Sequence, residues 1–295
     1  MSETPTNLRR KITSAEELQS VVRTMKALAA SSIGQYEASV RALGDYYRAV
    51  ELGLGECLRQ LGATAAYPEQ GERNGVLGAI VFGSDQGLVG QFNEVVSDEA
   101  IRTLRAAAGD PKVFAVGERV YARLVDAGIT PVKLFQVPSC VQAIAGLIGQ
   151  VQIESDLMRG QTGFSSFYII HNKPQVGSTY ASTSQRLLPL DRKWQTEMTK
   201  VEWPGTNLPE VLGREVLTLR SLIREYLFIS FFRACADSLA SENASRLAAM
   251  VRADKNIDDL LEDLRGEFHL VRQARIDEEL FDVISGFEVL VHEKG

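Results

Sequence analysis

Eighty-five consecutive residues, Val211 to Gly295, contain no proline. Nothing in that stretch is barred from a helix by a locked φ or a missing amide hydrogen. Apolar positions recur along it at helical spacing: Leu212, Val216, Leu219, Ile223, Tyr226, and later Leu264, Phe268 and Val271. The spacing predicts one very long helix, about 120 Å if some eighty residues join it at 1.5 Å per residue. Such a rod cannot bury its apolar stripe against one small core. It needs a second helix or a surrounding partner.

Other scarcities narrow the function classes. No apolar run approaches the ~20 residues of a spanning helix; the longest, such as Tyr226 to Phe232, are short. The chain is therefore expected to be soluble or peripheral. There is no basic excess: the net charge is −6, which argues against nucleic acid as a general partner. The first residues lack the apolar segment of a secretory signal, so the mature protein is expected to begin here. Cys57, Cys140, Cys235, His171, His269 and His292 stand at no metal-ligand spacing, and reduced thiols in a reducing cytoplasm are expected. No metal or cofactor is expected. A 45% hydrophobic content over 295 residues is enough for a core and for two structural units.

What is present falls into three parts, because eight of the nine prolines lie between Pro68 and Pro209. From Leu8 to Leu61 the apolar or small positions are Leu8, Ile12, Ala15, Leu18, Val22, Met25, Ala29, Ile33, Tyr36, Val40, Leu43, Tyr47, Val50, Leu54, Leu58 and Leu61, a mean step near 3.5 residues. That is the period of a left-handed coiled coil. Ser14 and Glu17 form a capping-box pattern that leaves open whether the helix starts there or earlier. Gly34, Gly44, Gly53, Gly55 and Gly62 each cost a helix about 1 kcal/mol relative to Ala, so packing must hold it. Both long helices leave the same middle domain and are expected to run antiparallel, with small residues along the seam.

Between them, residues 75 to about 200 alternate in type: strand Val76–Phe82, helix Phe92–Ala107, strand Lys112–Val116, helix Glu118–Ala127, strand Val132–Val137, helix Val141–Arg159, then two strands, Phe164–His171 and Gly177–Leu188, as an antiparallel edge. The fold class is α/β: a long antiparallel N- and C-terminal helical coiled coil with an inserted Rossmann-like, mainly parallel α/β domain. The expected divisions are 1–70, 71–208 and 209–295.

Gly83 to Gly90 follows the first strand and precedes a helix, where a phosphate loop would sit, but its spacing matches neither the dinucleotide fingerprint nor a Walker loop. It reads as a tight turn with Ser84 or Asn93 near a cap. The acidic runs Asp254–Asp263 and Asp277–Asp282 alternate with apolar residues and read as solvated helix faces. Asn243, Arg246, Gln273 and Arg275 are polar groups suited either to solvation or to a surrounding partner.

At Ser238-Leu-Ala-Ser-Glu-Asn-Ala-Ser-Arg-Leu-Ala-Ala-Met250 the sequence resembles the signature stretch of the gamma subunit family of rotary F-type ATP synthases. Arg23 to Ser31, Ser84 to Asn93, Gln185 to Leu190, and Arg272 to Leu280 with Ile284 to Gly286 resemble further family motifs, in the family's order. The resemblance implies a coiled-coil shaft with an α/β domain at its foot. It implies a rotor that transmits torque and does not cleave ATP itself. The implied partners are three alpha and three beta nucleotide-binding subunits around the shaft, and an epsilon subunit and a ring of c-type membrane subunits at the foot. One copy per complex is implied, at the cytoplasmic face of a bacterial inner membrane, with protons or sodium as the coupled ion.

By matching position, the resemblance places Met25 and Lys26 near the moving lobes of the catalytic subunits. It places Arg246 and Gln273 against a catalytic-subunit loop, with Asp277 in a hydroxyl position, and Trp203, Gly205 and Asn207 near the membrane ring. Arg275 stands where relatives have a small residue, so ion pairing is expected there. Gln86 replaces Arg, Val89 replaces Cys and Val251 replaces Lys, and the 203–207 segment lacks an acidic group. These departures point to a divergent branch, such as the alternative bacterial ATPases, with sodium coupling as one expectation. The rivals are a nucleotide-binding α/β enzyme with a coiled-coil arm and a coiled-coil scaffold without rotary function.

Overall fold

The computed structural model describes residues 4–61, 76–106, 111–162, 164–175, 178–205, 207, 209–211 and 214–292. The elements run α1 (Pro5–Leu61), β1 (Val76–Phe82), α2 (Phe92–Arg105), β2 (Lys112–Val116), α3 (Glu118–Asp126), β3 (Lys133–Phe135), α4 (Val141–Thr162), β4 (Phe164–Gln175), β5 (Ser178–Leu188), α5 (Arg192–Thr199) and α6 (Glu215–His292). They form two compact units, one of Met1–Leu28 with Leu247–Gly295, the other of Ala29–Arg246. The division falls inside both long helices. α1 begins at Pro5, whose fixed φ suits a first helical position, and the Thr4 carbonyl accepts from Asn7 and Leu8 N–H at 3.0 and 3.1 Å. The helix then passes through Ser14 and Glu17 without a break.

The first unit is a two-helix pair. Glu16 meets Arg265, Gln19 meets Asp258, and Arg23 and Lys26 meet Asp254. Rising numbers on α1 against falling numbers on α6 make the pair antiparallel. Leu8 and Ala15 are buried, and so is Gln19, at 8% exposure, while Leu18 is 61% exposed. Here the expected seam is off by one residue: 3.5 residues per step permits either position, and the Gln19 amide donates to Asp258 across the seam. α6 also outruns α1. By the observed pairing, Pro5 stands opposite about residue 276, and Leu280, Phe281, Val283 and Ile284 beyond it are exposed.

The second unit is built on a five-stranded sheet of order β3-β2-β1-β4-β5. β1 to β4 are parallel and β5 is antiparallel to β4. The antiparallel edge is thus β5 alone, and β4 is an inner strand that runs on to Gln175. Alternate residues face opposite ways. Leu77, Ala79, Val81, Val113, Ala115 and Ile170 pack under α2 and α3. Ile80, Phe82, Phe114, Val116, Phe135, Phe167 and Ile169 pack on the other face, with Ile144, Ile148 and Val151 of α4, Val50, Leu54 and Leu58 of α1, and Leu219 to Ala240 of α6.

α5 was not expected from the sequence. Asp191 caps it by accepting from the Trp194 N–H at 2.9 Å. Its C-terminal end explains a helix-weakening glycine: a Cβ on Gly55 would lie 2.6 Å from the Met198 carbonyl oxygen. Gly34 and Gly44 face open space, and Gly62 lies outside the described residues.

Candidate functional site

The glycine-rich loop after β1 is braced by its own chain. Gly83 N–H donates to Val116 O at 2.8 Å, and Ser84 N–H donates to Asn93 Oδ1 at 3.0 Å. Asn93 Nδ2 returns a bond to Ser84 Oγ at 2.8 Å, and that hydroxyl donates to Gln86 O. The positive end of α3 is already filled: Asp85 accepts from the Glu118 N–H at 3.0 Å and from the Val137 N–H at 2.9 Å. A carboxylate therefore sits at the positive end of α3 and ties the loop to it. Gly117, at φ +107, lets the start of α3 approach this loop; a Cβ there would lie 2.8 Å from Ser84 backbone atoms. The arrangement makes a braced turn between β1, α3 and the Val137 segment.

The signature stretch on α6 grips the same loop. The Ser245 hydroxyl donates to Val89 O, the Ser241 hydroxyl donates to Asp237 O and Asn172 O, and Asn172 Nδ2 donates to Phe92 O at 2.9 Å. Val89 is buried, so the loop is anchored through its backbone and needs no thiol. Arg246 donates to Glu242 Oε1 at 2.6 Å, one turn earlier, and lies 3.5 Å from Asn243 Oδ1. Burial raises the Glu242 carboxyl above the ordinary range while the Arg246 charge opposes the rise. Burial, and then Glu242, raise the Tyr36 hydroxyl in turn. Tyr36, Asp85, Gln86, Pro138, Glu242 and Arg246 line one cleft of about 270 Å³. Glu242 stands in the quoted signature, yet helical spacing alone did not separate it from solvated carboxylates.

In the first unit, Met25 and Lys26 are half-buried. Lys26 Nζ lies 2.7 Å from Asp254 Oδ2, and Arg23 Nε lies 3.1 Å from Asp254 Oδ1. Lys26 and then Arg23 hold the Asp254 carboxyl below its ordinary value. The acidic run that reads as a solvated face thus supplies Asp254 and Asp258 to the seam, because opposite charges of α1 face them. Gln273 and Asp277 are exposed and stand roughly 30 Å further along α6 at 1.5 Å per residue. The structure does not bring them together with Lys26. Arg275 pairs with Glu279 at 3.2 Å on its own helix.

Trp203, Gly205 and Asn207 are exposed on the segment after α5. That segment is tied to the end of α1 by Arg59, whose Nη1 donates to Thr199 O and Val201 O at 3.0 and 3.1 Å. Among the described residues, no helix is long and apolar enough to cross a membrane, and no group of three His, Cys, Asp or Glu side chains is placed to hold a metal.

The family model described as ATP synthase matches residues 4–290. The ATP synthase gamma chain of Salinibacter ruber is 27% identical, with 96% of this chain and 97% of that one aligned. That of Mycobacterium sp. (strain KMS) is 26% identical over 98% of each. Among solved structures, a chain of the Euglena gracilis mitochondrial ATP synthase (OSCP/F1/c-ring, rotational state 3) aligns with 99% of this chain and 96% of its own at 13% identity, with a TM-score of 0.63. A chain of the rotor of the same complex in rotational state 1 aligns with 92% and 98% at 15% identity, with a TM-score of 0.59. These structures share the fold, and the family match spans both units. The chain belongs to the ATP synthase gamma-chain family.

Proposed function

We propose that this chain is the rotating central-stalk subunit of an F-type ATP synthase, transmitting torque between an ion-driven membrane ring and a nucleotide-binding hexamer. The observation that carries the reading is the end of α6, where Leu280, Phe281, Val283 and Ile284 are exposed beyond the reach of α1. An apolar helix end that no described residue covers calls for a surrounding partner. Three alpha-type and three beta-type subunits would supply it, with Gln273, Asp277, Arg246, Met25 and Lys26 as contact positions. Solved relatives come from rotor and F1/c-ring assemblies, which supports a c-type ring as a partner of the α/β unit, with Trp203, Gly205 and Asn207 facing it; an epsilon subunit is the further partner of this reading.

In this reading the chain cleaves no ATP. Each angle of an asymmetric helix pair favours a different conformation of each catalytic site by differential contact free energy. The complex sits peripherally at the cytoplasmic face of a bacterial inner membrane. Its departures from relatives suit a divergent branch, and the coupled ion is chosen in other subunits. Rotation that ignores sodium at fixed pH would remove the sodium alternative.

Native mass spectrometry of the tagged chain purified from its own membranes tests the reading, with ATPase activity followed in the same fractions. One copy with three copies each of two larger nucleotide-binding subunits is the expected result. A lone monomer or homodimer that binds nucleotide would overturn it.

A further inference from the structure

The second unit carries a slot that its own fold leaves open, between α4, α6 and the β4–β5 hairpin. Phe167, Leu187, Ile223 and Phe231, all buried, form its floor around about 170 Å³. A dry cavity of about 150 Å³ accepts a benzene ring, so the slot is the size of one large apolar side chain. Arg220 and Arg224 stand on its rim, one turn apart on the same face of α6. Both are exposed, and neither guanidinium has an ion pair among the described residues. Asp156 of α4 is the single acidic group in the lining. Next to it, the Ser155 hydroxyl is buried without a partner among the described residues.

The apolar character continues outside the slot. Val216 and Leu217 are exposed on α6 a turn before Arg220, on the same face. Single exposed apolar residues need no explanation, but a pocket continued along α6 by apolar side chains and crowned by two free guanidinium forks is an interaction surface. A molecule small enough for the slot would leave these outer residues uncovered. A chain segment would cover them.

We propose that this slot docks a protein segment that inserts one apolar side chain and flanks it with carboxylates paired to Arg220 and Arg224. Guanidinium forks match carboxylates with two parallel hydrogen bonds, and Asp156 on the opposite wall leaves a place for one donor, which orients the segment. An apolar anchor seated in a pocket and ringed by polar pairs is the arrangement that concentrates binding energy. The site does not depend on the rotor reading, since it lies wholly within the second unit.

The test is a photo-crosslinking phenylalanine analogue at the exposed Val216, one turn before Arg220, in the full chain, irradiated in its own membranes, with the captured peptide sequenced. The expected product is a segment with an apolar residue bracketed by Asp or Glu. Capture should fall about tenfold or more in the Arg220→Glu, Arg224→Glu variant and return when the segment's carboxylates are changed to lysine. Both arginines are exposed, so the melting temperature of the variant should stay near that of the parent. Capture of a lipid or small molecule, capture of a neutral segment indifferent to charge reversal, or no capture at all would overturn the proposal. An acidic segment captured where no hexamer is found would leave this site standing and remove the rotor reading.

Discussion

The two units hold together by different means. The Ala29–Arg246 unit buries two apolar layers, one on each face of its sheet, and its largest buried side chains are Phe82, Phe92, Phe114 and Phe167. The unit of Met1–Leu28 with Leu247–Gly295 buries one seam, of Leu8, Ala15, Met250, Leu261 and Leu264 with Gln19, flanked by the pairs of Asp254 and Asp258 with Lys26 and Arg23. A sheet with two covered faces is closed by its own helices on both. A single seam leaves each helix with an outer face, and there Leu18, Val21, Leu28, Leu270 and Phe281 stand exposed. The second unit thus holds itself by two apolar layers, while the first depends on one seam.

The largest break of this contrast is Phe167→Ala. Phe167 is 2% exposed and lies edge-on to Phe231, with ring centroids 5.8 Å apart. Removing its ring should cost about 3–5 kcal/mol, read as a shift in the denaturant midpoint of the full chain. A shift below about 1 kcal/mol would show that the sheet face repacks easily and that the contrast is overstated. Gly117→Ala comes next. Its φ of +107 is costly for a side chain, and the added Cβ would meet Ser84 backbone, so about 1–3 kcal/mol is expected. The Gly83–Gly90 loop should lose amide protection with it.

Acid separates the units by where each loses stability. Burial, then Lys173 and Arg233, lowers His171 from 6.5 to about 3. As pH falls below 6.5 the unfolded chain binds a proton that the folded chain refuses, so the second unit loses stability at up to about 1.4 kcal/mol per pH unit. Asp237, which burial raises, opposes this at lower pH, because the folded chain then takes up its proton first. His171→Gln should flatten the slope between about pH 6.5 and 5; an unchanged slope would assign it to other groups. Asp254 also loses its contribution in acid, but in a lower pH window. Its carboxyl is held low by Lys26 and then Arg23, so its contribution is full above the ordinary carboxylate range and is lost only as pH falls through the depressed value. Amide protection around Lys26 should therefore differ between the parent and Asp254→Asn at neutral pH and converge in strong acid.

The sequence made the fold legible wherever period and punctuation agreed. Val76–Phe82 and Lys112–Val116 are strands over the expected residues because each is a short β-branched and aromatic run closed by glycine or a loop. The proline-free stretch is helical from Glu215 to His292. What stayed hidden depended on three-dimensional partners. Leu18 and Gln19 are equally good seam positions by spacing, and Asp258 decides between them. Asp254 reads as solvated until α1 brings Lys26 to it, and Asp85 reads as an ordinary loop residue until α3 and Val137 supply the amides it accepts from. α5 is only eight residues long, too short for a period to show.

The smallest expected effect on stability belongs to the exposed end of the first unit, and it sharpens the contrast most. Gln273 and Asp277 face solvent, so Gln273→Ala, with or without Asp277→Ala, should shift the denaturant midpoint by no more than about 0.5 kcal/mol. The same variants should lower ATP synthesis relative to hydrolysis in the assembled complex, because contacts made only with a partner contribute nothing to the isolated fold. If the chain unfolds instead, these side chains belong to a seam. If the variants fold and coupling is also unchanged, the exposed face of α6 is merely solvated at these positions, and torque must pass through the half-buried pair Met25 and Lys26.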